Sequence, residues 1–190
     1  MMNSKSIIAG LCALTMSFAG LSAMDDGAGS RLHETAPREF RKALELQHRG
    51  MHNRASMMMR GVARDYRNTD PEGYAVLCDV VMNVSAYDAR MDDYLERNPH
   101  SVIASQIRFH HALNLFEALD YKSAYAIFEQ VPASHMSDAD LDEYLFKKAY
   151  CELEVGDMER ALLQFEDIVK RPVSDFTAPA RYSIAYLNYE

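Results

Sequence analysis

The chain has 190 residues, room for one ordinary domain or a short repeat array. With 48% hydrophobic and 25% charged residues, it is neither disordered throughout nor wholly embedded in a membrane. Four of its eight glycines lie before residue 31, leaving too few for the turns of an all-β fold. A net charge of -8 lacks the basic surface that general nucleic-acid binding requires.

Residues 1–23 read as a secretory signal. Lys5 supplies the positive start, and residues 7–23 are apolar or small. Leu21-Ser22-Ala23 places a small residue before a cut between Ala23 and Met24. The mature chain is then exported, to the periplasm or the membrane periphery. The rival is an uncleaved N-terminal membrane anchor, for which this stretch is short. Residues 24–35 form a flexible lead-in.

From residue 36 the chain repeats. Ala55, Ala89, Ala124 and Ala161 are spaced by 34, 35 and 37 residues. Fifteen residues before each stands an aromatic: Phe40, Tyr74, Phe109 and Phe146. A further step of 36 reaches Tyr182. The period defines units of about 36–69, 70–104, 105–141 and 142–177, with a partial unit over 178–190.

Each unit opens with a predicted amphipathic helix. In the first, Phe40, Leu44 and Gln47 share a face, and Met57, Met58 and Met59 fill the second helix. In the second, Asp70 is a plausible cap and Pro71 suits a first turn, ahead of Tyr74, Cys78 and Val81. The third carries Phe109, Leu113 and Phe116, a turn at Leu119-Asp120-Tyr121, and a second helix through Ala124 and Phe128 that stops by Pro132. Ser137 and Asp140 read as a capping box opening the fourth, with Phe146, Tyr150 and Leu153 on its face. A turn at Val155-Gly156-Asp157 leads to Ala161, Phe165 and Ile168. The partial unit supplies Tyr182, Ala185, Tyr186 and Tyr189, an apolar surface expected to self-associate through residues 176–190.

These columns resemble the tetratricopeptide repeat, best over residues 112–132 and 149–172. Gly156-Asp157-Met158-Glu159-Arg160-Ala161 is similar to that family's turn. The first two units depart from it: Met51-His52 and Ser85-Ala86 stand where an Asp-aromatic pair is usual. The resemblance implies an all-α fold, an α-solenoid of antiparallel helix pairs in a right-handed superhelix of about four and a half units. It also implies a concave face, lined by first helices, that binds a protein or peptide. The groove residues implied are Phe40, Tyr74, Phe109, Leu113, Phe116, Phe146, Tyr150, Leu153, Tyr182 and Tyr186. The same rings could instead pack one first helix against the next.

No enzyme signature survives inspection. Pro37 occupies the second ligand position of the zinc-protease-like start at His33-Glu34. The acids at 138, 140 and 142 lack the glycine and glutamate of a calcium loop. His110 and His111 point about 100° apart and cannot chelate one ion together. Cys78 and Cys151, two units apart, are expected to be free thiols. Residues 38–69 hold eight basic and three acidic groups, while residues 71–190 hold ten and 21. The expectation is a non-catalytic protein- or peptide-binding scaffold of the bacterial cell envelope, without cofactor, metal, small-molecule substrate or nucleic-acid partner. The alternatives are an accessory segment of a longer repeat-containing envelope protein or enzyme, and a purely self-associating structural module.

Overall fold

The computed structural model describes residues 38–65 and 70–189. The leader, the Ala23–Met24 cleavage site, the lead-in and Pro37 lie outside the described residues. Within them the chain is all-helical, with no strand. The first pair is α1 (Arg38–His48) and α2 (His52–Asp65), and the second is α3 (Asp70–Val81) and α4 (Asp88–Arg97). The third is α5 (Val102–Glu117) and α6 (Tyr121–Phe128), followed by a 3-10 turn at Ala133–His135. The fourth is α7 (Asp138–Val155) and α8 (Met158–Lys170), and α9 (Thr177–Tyr189) stands alone. Consecutive helices pack on one another, and α5 also packs against both α3 and α7. Among the described residues no helix is long and apolar enough to cross a membrane.

Every pair turns the same way. The residue two before each second helix, or one before its cap, has a positive φ: Gly50 (71°), Ala86 (66°), Leu119 (64°) and Gly156 (96°). A left-handed residue reverses the chain and satisfies the last carbonyls of the first helix. Gly156 N–H donates to the Leu153 carbonyl, and Asp157 N–H to that of Glu152. The second helices are then capped where the sequence allows. Asp120 Oδ1 accepts from Ser123 N–H and Asp157 Oδ1 from Arg160 N–H, each at 3.2 Å. Ser137 caps α7 by accepting from Asp140 N–H, and its hydroxyl donates to the Asp140 carboxylate at 2.8 Å.

This common turn corrects the alanine column. Four residues beyond Met51, Tyr87, Asp120 and Asp157 lie Ala55, Met91, Ala124 and Ala161, all buried. Ala89 is exposed. The second unit's turn spans residues 82–87 and contains an additional left-handed residue, Asn83. That longer turn delays α4 and puts Met91 in the place expected for Ala89. Close packing there also excludes a side chain on Gly73, whose Cβ would strike the Tyr94 ring and sit 2.8 Å from Ile103 Cγ2.

The last unit is corrected too. On α9 the buried residues are Thr177, Ala180 and Ser183, while Tyr182 is 44% exposed and Tyr189 91%. Ala180 and Ser183 follow Phe146 and Ala149 by 34 residues, not 36. Small side chains let α9 lie close on α8, which turns Tyr182 outward.

The core has two clusters. One runs from Phe40 to Ile107, the other from Phe109 to Ala180. Helix α5 contributes to both, so it couples the two halves. In the first half a wholly buried carboxylate, Asp79, ties three helices. It accepts from Ser56 Oγ at 2.5 Å and pairs with Arg60 of α2 at 3.0 Å and with Arg90 of α4. Both guanidiniums remain partly in water, so only the carboxylate is desolvated, and it is compensated on both oxygens.

Candidate functional site

The aromatic column is built into the core. Phe40, Tyr74, Phe109, Phe116, Phe146 and Tyr150 are all less than 9% exposed. Each ring meets another from a neighbouring helix. Phe40 lies 5.5 Å from Tyr74, Phe109 6.3 Å from Tyr144, and Phe146 5.5 Å from both Phe165 and Phe176. Phe116 and Tyr150 meet edge to face at 5.5 Å. Leu113, Leu153 and Tyr186 are half-buried against the same cluster, and Tyr182 faces outward. The groove expected from these ten side chains is therefore corrected: six rings join helix to helix and offer no surface to a peptide. A long apolar ring on a first helix is buried by its neighbour before any ligand can reach it.

Helices α5 and α7 together carry an acid-rich group of accessible side chains. Glu117 of α5 is exposed, and Glu143 and Glu154 of α7 are half-buried. The cation among them is Lys147, whose ammonium sits over the Phe116 ring, 4.3 Å from its centroid. Burial pushes the Glu143 carboxyl above its ordinary range. Lys147 opposes the shift, and Asp140 and Glu117 reinforce it. Three carboxylates thus confront one ammonium, and the local potential is negative. This patch was legible only as scattered Glu residues, because its meaning depends on how closely α5 and α7 pack.

A second polar group stitches α6, α7 and α8. Lys148 Nζ pairs with Glu129 at 2.6 Å, and Arg160 donates to Tyr125 Oη at 2.7 Å. Glu152 is fully buried and accepts from Gln164 Nε2 at 2.5 Å. Burial raises its pKa, against the pull of Lys148 and Arg160. This seam is held by charge and hydrogen bonds.

The other singled-out residues are structural. His110 stacks on Phe109 at 5.1 Å, and the His111 Nδ1 lies 2.9 Å from Tyr87 Oη. Buried Ser105 meets His135 Nδ1 at 2.8 Å and, with Gln106, pins the 3-10 turn. Cys78 and Cys151 are both free and buried, and burial pushes each thiol up to about 12. An open pocket of about 370 Å³ lies by the start of α2, between residues 50–54 and Met82. Among the described residues no group of three or more His, Cys, Asp or Glu is placed to hold a metal ion. No family model, curated protein or solved structure matches this chain.

Proposed function

We propose that the chain is a non-catalytic scaffold of the tetratricopeptide type that binds a basic segment of another protein. Four helix–turn–helix units with the same left-handed residue before the second helix support the repeat reading. The observation that carries the binding reading is the grouping of the Glu117, Asp140 and Glu143 carboxyls around one cation, Lys147, which is itself seated over the Phe116 ring. A cationic side chain entering there would pair with carboxyls that outnumber the single ammonium, which favours Lys- or Arg-rich partners. The site lies on α5 and α7, and its rings stiffen the scaffold beneath. Its setting in the cell envelope rests on the apolar leader at residues 7–23.

A fluorescein-labelled Lys/Arg-rich peptide, followed by anisotropy, tests the reading. The chain binds it, and affinity falls as salt rises. Exposed ion pairs each contribute about 0.2–1 kcal/mol, so Glu117→Gln with Glu154→Gln weakens binding by about two- to thirtyfold. Glu159→Gln, on α8, leaves it unchanged. Equal loss in both variants, or no binding at low salt, would exclude this face.

A further inference from the structure

Helix α9 presents an outward face that no described residue covers. Its inner residues Thr177, Ala180 and Ser183 are buried. Opposite them Ala178, Tyr182, Ala185 and Tyr189 are exposed and follow one another by four, three and four residues. That spacing is the seam of a two-helix coiled coil. The seam alternates small and large: Ala, Tyr, Ala, Tyr.

Turned end for end, this seam fits itself. A two-fold axis level with Ser183 and Ile184 brings Tyr182 to the height of Ala185, and Tyr189 to that of Ala178. Each layer then holds one ring and one methyl, which pack without a void or a clash. In parallel orientation the layers would pair Tyr with Tyr and Ala with Ala, overfilled and underfilled in turn. Arg181 and Asn188 lie on one flank, and the same axis brings them to nearly the same height across the pair. Arg181 is the sole charged side chain over residues 177–189, so no row of like charges opposes the approach. A partner of unrelated sequence would require no such reversal symmetry, whereas an isologous contact does.

We propose that a second copy of this chain docks on this face, α9 against α9 antiparallel. Tyr182 seats on Ala185 of the partner subunit, and Tyr189 on Ala178 of the partner subunit. Two 13-residue helices form a small interface, so the dimer dissociates on dilution. The contact leaves the acid-rich face of α5 and α7 out of the interface and is independent of peptide binding.

Sedimentation equilibrium of the full chain, with Cys12 replaced by serine, reads the association. The chain is a concentration-dependent dimer, and Ala185→Arg makes it monomeric. Ala185 is exposed, so its replacement leaves the core and the circular dichroism melt of the dilute protein unchanged. Orientation is read by oxidation. A chain carrying both Ala178→Cys and Tyr189→Cys cross-links between copies. Ala178→Cys alone does not, because antiparallel copies hold those two positions roughly 16 Å apart, beyond the disulfide limit of about 7 Å. Cys78 and Cys151 stay out of the reaction because both are buried. A monomer at every concentration, an association untouched by Ala185→Arg, or cross-linking of Ala178→Cys alone would each overturn the proposal.

Discussion

Leu119 shows how one residue carries the strain of a repeated turn. Its φ is 64°, a region that costs an L-residue with a Cβ roughly 1–2 kcal/mol. The matching positions in the first and fourth units are Gly50 and Gly156, which adopt it freely. Leu119 is 65% exposed, so its side chain contributes little packing in return. Leu119→Gly is therefore expected to stabilise the protein, by about 0.5 kcal/mol after the added flexibility of the unfolded glycine is subtracted. Urea denaturation measures this. Ala126→Gly, at an exposed position inside α6, should destabilise by about 1 kcal/mol in the same experiment. A loss at both positions would mean that the Leu119 side chain holds the turn.

At the scale of the element, the same sequence column serves two purposes. Tyr150 on α7 is 1% exposed, 5.5 Å from the Phe116 ring on α5 and 5.4 Å from Tyr121 on α6. Truncating it leaves a cavity among three helices, and Tyr150→Ala is expected to lose about 3–5 kcal/mol. Tyr182, one period on, faces outward on α9, and Tyr182→Ala leaves the stability of the dilute monomer within about 0.5 kcal/mol of wild type. Thermal melts of the two variants at low concentration separate a ring that joins helices from a ring that awaits a partner. Similar losses in both would mean that α9 is packed more deeply than its exposure indicates.

Across the whole molecule, α5 links the two core clusters, and His110 on it senses pH. The ring is mostly buried, against Phe109. Burial first, and then the charge of His52 on α2, lower its pKa from 6.5 to about 4. The unfolded chain therefore takes up this proton more readily than the folded one. The group has no effect on stability above its unfolded value, and folding weakens as pH falls from about 6.5 to about 4, by roughly 3 kcal/mol in all. The raised carboxyls of Glu143 and Glu152 act in the opposite sense, favouring the fold as they protonate. His110→Gln isolates the contribution. Its unfolding free energy, compared with wild type by urea titration at pH 7 and pH 4.5, should lose much of the acid-side decline. A parallel decline in both proteins would assign the effect elsewhere.

Helix content and the cap at Ser137 were legible in the sequence because they are local, whereas the unit bounds expected at 104/105 and 141/142 fall inside α5 and α7. Ser137 caps α7 as its spacing to Asp140 implies, while Asp120 and Asp157, read from the sequence only as turn residues, also cap α6 and α8. Prolines 99, 132 and 172 stand just beyond helices they cannot extend, and Pro71 and Pro179 sit in first turns. The period of about 35 residues also survives in the pairs themselves. Tertiary packing decided the rest. A 3.6-residue pattern marks an apolar stripe but does not say what covers it, so the same column could line a groove or glue a core. Only the approach of neighbouring helices buried Phe40 through Tyr150. Only the extra turn residue at Asn83 moved the second unit's packing position from Ala89 to Met91. Only the close fit of Ala180 and Ser183 against α8 turned Tyr182 and Tyr189 away from the core. Each of these depends on contacts between residues far apart in the chain, which a one-dimensional pattern does not specify.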